Sequence, residues 1–348
     1  MLRLILLGLA GVIALGLLAV AVVTVVMAGR IDKRYPPIGS FVEVNGTRLH
    51  YVDEGPKDAP AILLIHGASS NLRDMLIPAR ASLGGKYRII AVDRPGHGWS
   101  ERGLYSATPD AQARTLADLL TAINVDKAVV FGHSFGSALA TAMAVERPEK
   151  LIGLVVASPA THPWPSGKTN WYNHLSRVPV IGWLFTRTLA LPAGLGRIAP
   201  ATDCVFAPNQ QPANYLTETG IELVMVPHRF MSNSEDVVGL HPHTVRYKAR
   251  YKEIKAPTII ITGDHDTVVS KEIHAENLAR DIAGSRLFVV KNVGHKPDYA
   301  LSDLVAASLE TLAGNPKDLD AIAAAAEIRL ANDRFGPVER CPPVKINE

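Results

Sequence analysis

The first thirty residues are patterned unlike everything after them. From Leu4 to Gly29 there is no charged residue, and Thr24 is the only clearly polar member of a leucine-, valine- and alanine-rich run. Arg3 precedes the run, and Arg30, Lys33 and Arg34 follow it. As a helix it would be about 39 Å long, against a hydrocarbon core of about 30 Å, so it can span a bilayer with some tilt. Residues 1–30 are therefore expected to be an uncleaved single-pass anchor. A cleaved secretory signal is the rival reading, because Val26-Met27-Ala28 is an acceptable cleavage site. Its apolar region is normally only about 7–15 residues, and this one is much longer. The positive flanks, with Asp32 among them, leave the side of the membrane open; they push only slightly toward a cytoplasmic second flank.

Past a short stiff linker at residues 31–39, which holds Tyr35-Pro36-Pro37, the period changes. Phe41–Val44 and Arg48–Val52 flank Asn45-Gly46-Thr47 and read as a hairpin. Short apolar β-rich runs then alternate with helical patterns. Strands are expected at Ala61–Ile65, Arg88–Val92, Lys127–Phe131 and Leu151–Ala157, with helices near Arg73–Ser82, Thr108–Ile123 and Phe135–Glu146. Strands apolar on both faces and separated by helices imply an α/β fold, with a mostly parallel sheet covered on both sides. The alternation stops near Pro159 and resumes with strands at Thr258–Thr262 and Arg286–Val290 and helices at Lys271–Asp281 and Asp298–Leu312. Between them, residues 160–247 are proline-containing, amphipathic and carry Trp164, Trp171 and Trp183, which reads as an inserted helical cap. The expected division is a core of 40–159 and 248–312, the cap, and a C-terminal helix and loosely held tail over 313–348.

Composition fits this division. Of 348 residues 47% are hydrophobic and 20% charged, and the mean hydropathy is +0.12. The anchor run accounts for the apolar excess, leaving an ordinary globular enzyme-sized remainder. A net charge of +3 without a lysine/arginine block argues against nucleic acid as a partner. Cys204 and Cys341 sit in no metal-ligand spacing, and two cysteines make no disulfide framework.

The chemistry gathers at the ends of the expected strands. Gly132-His133-Ser134-Phe135-Gly136 fits the G-x-S-x-G nucleophile elbow, after a β-run and opening a helix. A serine hydroxyl needs a base, and the base needs a carboxylate partner. Gly263-Asp264-His265-Asp266 follows one later strand and Gly294-His295 follows another. The expected triad is Ser134, Asp266 and His295, with the backbone N–H groups of Phe135 and of Ala68, in Ile65-His66-Gly67-Ala68, as the oxyanion hole.

These landmarks, with Asp93-Arg94-Pro95-Gly96-His97-Gly98, occur in the order of the α/β-hydrolase fold superfamily, which the chain resembles over about residues 40–312. The resemblance implies a lid at the cap, an acyl-enzyme on Ser134 and no metal or organic cofactor. A serine at the elbow, rather than the aspartate of dehalogenases and epoxide hydrolases, points to small-molecule acyl substrates, carboxylic esters first. A cofactor-free haloperoxidase or perhydrolase, or a carbon–carbon bond hydrolase, would use the same triad. A non-catalytic binding protein of this fold is the reading from another class.

Blander roles compete at several positions. Asp264 is the alternative acid and reads as a turn carboxylate. Asp93, His66, His97 and His133 read as loop scaffolding. His241-Pro242-His243 lacks an acidic or cysteine partner nearby that would make it a metal site. The cap tryptophans would either line an acyl pocket or fill the core of the cap.

Overall fold

The computed structural model describes residues 1–104, 106–335 and 341. Its centre is a sheet of β1 (Ser40–Val44), β2 (Thr47–Glu54), β3 (Ala61–Ile65), β4 (Arg88–Val92), β5 (Ala128–His133), β6 (Leu151–Ala157), β7 (Thr258–Gly263) and β8 (Arg286–Val290). The spatial order is β1-β2-β4-β3-β5-β6-β7-β8. The hairpin strand β2 pairs antiparallel with both β1 and β4, and every later pairing is parallel.

The central strands β3 to β7 form where apolar, mostly β-branched and leucine, residues dominate, since both their faces must be apolar, whereas β1 and β2 mix polar and apolar positions. Alternate side chains go to opposite sides. Leu63, Ile65, Val130, Leu154 and Ile260 pack with Leu116 and Leu119 of helix Pro109–Ala122 and Leu139 and Met143 of helix Phe135–Glu146. Ile62, Leu64, Val129, Val155 and Ile261 pack with Met75 of helix Leu72–Leu83 and Leu304 and Leu309 of helix Ser302–Leu312. Local chemistry sets the helix ends. The Asn71 side chain accepts from the Arg73 N–H at 3.0 Å, and Gly84, at φ 48°, closes the same helix in the left-handed conformation.

Between β6 and β7 the described residues contain only helices, the longest being Ala190–Phe206 and Pro227–Tyr247. One buried ion pair joins the second of these to the core. Asp236 receives Arg94 Nη1 at 2.5 Å, Arg102 Nη1 at 2.7 Å and Gln112 Nε2 at 2.8 Å. Arg94 is fully buried and Asp236 is 2% exposed.

Three boundaries differ from the sequence expectation. The N-terminal helix spans Leu2–Arg34 and so enters the expected linker, because Ile31 and the following Tyr35 bury against Leu191, Leu223 and Val226. The helix expected at Lys271–Asp281 begins only at Ala275, and the one expected at Asp298–Leu312 is broken at Leu301. The two cysteines, 137 positions apart, are joined as a disulfide with their Cα atoms 5.3 Å apart. Nothing in their spacing foretold the pairing; it arises because the cap helix that carries Cys204 lies beside the C-terminal segment. The expected loose tail falls mostly on residues 336–340 and 342–348, outside the described residues.

Removing Asp236 would strand the Arg94 guanidinium in the interior. Asp236→Ala is expected to lower stability by about 3–5 kcal/mol, measured as a shift in the urea unfolding midpoint of the detergent-solubilised chain.

Candidate active site

The carboxyl ends of β5, β7 and β8 converge on one point. At the end of β5 the chain turns sharply, and Ser134 takes φ 52° and ψ −118° before helix Phe135–Glu146 begins. A non-glycine residue in that region is strained by about 1–3 kcal/mol and persists only where its surroundings hold it. Here they do. The Ser134 N–H donates to the Ala157 carbonyl at 2.9 Å, and the Ser134 carbonyl accepts from Ala160 N–H at 3.3 Å. A Cβ on Gly132 would lie 2.5 Å from the Gly136 carbonyl oxygen, and one on Gly136 would collide with the Ile65 carbonyl. Both glycines are therefore required by the packing of the turn.

The three residues expected as a triad lie within hydrogen-bond reach of each other. Ser134 Oγ is 3.0 Å from His295 Nε2, and His295 Nδ1 is 2.8 Å from Asp266 Oδ2. The other Asp266 oxygen accepts from the backbone N–H groups of Val268 at 2.9 Å and Val269 at 2.8 Å. Burial alone would raise the Asp266 pKa. The adjoining imidazole and the two amides outweigh it and hold the carboxyl below its ordinary range. Asp264 points away: it receives the Asn292 N–H at 2.7 Å and pairs with exposed His265 at 2.6 Å.

The two residues expected to supply oxyanion donors flank the serine. Phe135 opens the helix, so its N–H has no partner inside it. The loop with Ala68 is held against the nucleophile at Gly67, where a Cβ would sit 3.3 Å from Ser134 Cβ and 3.2 Å from His133 Nδ1. Ser69 on this loop is tied to the cap, its N–H donating to Asn233 Oδ1 at 2.7 Å.

The other singled-out residues are structural supports. Asp93 accepts from Leu72 N–H and Trp99 N–H, both at 2.8 Å, and pairs with His50 at 2.6 Å. His66 Nε2 accepts from the Arg94 N–H at 3.0 Å. His133 Nε2–H donates to the His295 carbonyl at 2.8 Å, and burial pushes its pKa well down, which keeps the ring neutral. His241 bonds the Trp164 carbonyl at 3.0 Å and His243 faces Asp110 at 3.3 Å, so the two do not converge. Trp171 and Trp183 face outward, 68% and 54% exposed.

Several supports were given no role by the sequence pattern, although Arg94 lies within the Asp93–Gly98 landmark. Arg94 donates to the His66 and Gly67 carbonyls at 3.1 and 3.2 Å and lies 4.4 Å from the Phe135 ring, linking the oxyanion loop to the elbow. The cap reaches the base directly: His295 N–H donates to the Val205 carbonyl at 3.1 Å, and Gly294 N–H to Asn209 Oδ1 at 3.0 Å. Below the histidine, buried Lys296 pairs with Asp74 at 2.9 Å and Asp298 at 2.8 Å. Burial and the nearby Asp74 push Asp298 up to about 6 despite the lysine. The charges at Lys296 and Asp298 beside Gly-His were the only hint of this network in the sequence.

Comparison with known proteins agrees with this architecture. Residues 62–307 match the model of the alpha/beta hydrolase family. The chain is 25% identical to a proline iminopeptidase, PfmaB, of Pestalotiopsis fici, over 76% of its own length and 95% of that protein. Among solved structures it is similar to an esterase from Thermogutta terrifontis, with TM-score 0.62 and 21% identity, covering 79% of this chain and 99% of that one. It is also similar to a bacterial membrane phospholipase A, with TM-score 0.58 and 21% identity, covering 95% of this chain and all of that one. The sheet order, the strained elbow serine and the matched span together make this chain a member of the alpha/beta hydrolase family.

Proposed function

We propose that the chain is a membrane-anchored serine hydrolase that cleaves carboxylic esters or related acyl substrates. The relay Ser134–His295–Asp266, with separations of 3.0 and 2.8 Å, carries this reading. Ser134 Oγ attacks the acyl carbonyl while His295 Nε2 takes its proton. The N–H groups of Ala68 and Phe135 hold the resulting oxyanion. The tetrahedral adduct collapses, the leaving alcohol takes the proton from His295, and an acyl-enzyme remains. Water attacks it with His295 again as base, releasing the acid and restoring Ser134. Asp266 stays ionised throughout and fixes the imidazole tautomer.

Two observations support the anchor. Thr24, Met27 and Ala28 pack on the cap, and Thr24 Oγ1 donates to the Thr188 carbonyl at 2.7 Å, so cleavage after Ala28 would remove residues the fold uses. The similar structure described as a membrane phospholipase A covers 95% of this chain. The Cys204–Cys341 disulfide favours an oxidising compartment and so supports a non-cytoplasmic hydrolase, against the slight push of the basic flank.

Ser134→Ala is expected to lower turnover of p-nitrophenyl butyrate by about four to six orders of magnitude and to abolish fluorophosphonate labelling; substantial residual turnover would sink the assignment. Asp266→Asn is expected to lower the same rate about ten-thousandfold by losing the tautomer. Because the Asp266 pKa is depressed in the folded state, its stabilisation is present above about pH 4 and is lost as pH falls through the depressed value. The Asp266→Asn melting temperature is therefore expected to fall less steeply than that of the parent between about pH 4 and pH 2. In cells lysed directly into denaturant, maleimide-polyethylene glycol is expected to shift the chain only after reduction; two labelled thiols without reductant would argue for the cytoplasmic side.

A further inference from the structure

The first half of the cap carries several large exposed apolar side chains, and its charges are all of one sign. Between Ala160 and Thr202 the chain carries Lys168, Arg177, Arg187 and Arg197 and no acidic residue. Within this stretch Trp171 is 68% exposed, Val180 78%, Ile181 56%, Trp183 54% and Leu189 51%. The Arg187 guanidinium lies 4.8 Å from the Trp183 ring. Soluble surfaces rarely gather so many large apolar side chains, and such a patch marks a binding surface.

Its position says what covers it. Helix Ile181–Thr188 packs along the N-terminal helix, and Thr24 bonds Thr188. Leu17, Val20, Ala21, Thr24, Met27 and Ala28 are half-buried or buried along that one face, while the remaining faces of the apolar run stay largely exposed. Counted from Leu4, about 20 residues cross the hydrocarbon core, which brings Thr24 to its edge. The cap residues beside Thr24 then lie at headgroup depth. Tryptophan side chains and basic residues without acidic neighbours are the chemistry that this zone favours.

We propose that the cap surface formed by Trp171, Val180, Ile181 and Trp183 docks on a phospholipid bilayer containing anionic lipid, beside the anchor helix, and that the active site takes its acyl substrate from that bilayer. The second clause rests on the ester-hydrolase reading above; the docking does not. The docked segment is continuous with helix Ala190–Phe206, whose Val205 carbonyl holds the His295 N–H at 3.1 Å. A lipid ester leaving the bilayer at the cap is therefore one helix length from the catalytic histidine. The substrate class this implies is an amphiphilic ester with a long acyl chain.

The test uses the full chain reconstituted in vesicles of phosphatidylcholine and phosphatidylglycerol, with part of the lipid brominated near the glycerol end of its acyl chains. Tryptophan emission is expected to be quenched, and most of that quenching is expected to disappear in Trp171→Phe/Trp183→Phe, which keeps Trp99 and Trp164. Equal quenching in both proteins, or none in the parent, overturns the docking; a second copy of the chain covering the face gives the latter. A second variant reads out substrate supply. Val180→Asp/Ile181→Asp is expected to keep p-nitrophenyl butyrate turnover within about twofold and to lower hydrolysis of a vesicle-embedded long-chain ester about tenfold, the loss of roughly one buried aliphatic side chain's transfer energy. Equal loss on both substrates, or no loss on either, overturns the supply route. Quenching is independent of catalysis, so a parent chain that hydrolyses neither ester would sink the ester-hydrolase reading while leaving the docking result intact.

Discussion

At Ser134 the chain leaves a central parallel strand and enters a helix within one residue, at φ 52°. Everything else in the site follows from that turn. It can exist only because glycines flank it where a Cβ would strike the Gly136 or Ile65 carbonyl. It lifts the hydroxyl out of the sheet, clear of its neighbours, and points the first N–H groups of the helix at the same spot. The strain is held by bonds to β6 and to the first residues beyond it, through the Ala157 carbonyl and the Ala160 N–H. A relaxed turn would direct the serine into the helix and leave His295 without a partner.

Around the elbow the cap and core are locked together by polar contacts. Fully buried Arg94 touches the oxyanion loop, the Phe135 ring and, through Asp236, the long cap helix. A guanidinium suits this role because it donates in several directions in one plane and stays charged when buried. The cap also supports the base, since Val205 and Asn209 hold the backbone of Gly294 and His295. Cap position and candidate-site geometry are thus coupled: a shift of the cap moves the carbonyl that holds the His295 loop. The same cap rests on the N-terminal helix through Thr24, Ile31 and Tyr35, so that helix is in continuous contact with the site through the cap.

Much of this was legible from residue pattern. Strands β3 to β7 were readable because a strand buried on both faces must be continuously apolar, and few other elements look like that; β8, half-exposed at the sheet edge, was readable from its short apolar run alone. The elbow was readable because its glycines are steric requirements. Asp266 and His295 were found by their place after strand ends, although Asp264, two positions away, had the same local signature. What separates them is which carboxylate faces His295 and which faces the Asn292 amide and His265, a matter of where β7 and β8 end relative to each other.

The sequence by itself determined the apolar membrane-length segment, the parallel sheet and the helical insertion between β6 and β7, and it singled out the three candidate residues that the fold brings together, because each is written in periodicity or in steric need over a few neighbouring positions. Only the tertiary structure decided the rest. The pairing of Cys204 with Cys341, the Arg94–Asp236 lock, the Lys296 network and the outward-facing tryptophans all join positions far apart in the chain. No local pattern encodes such contacts, since they depend on how helices of the cap settle against a sheet assembled from distant segments.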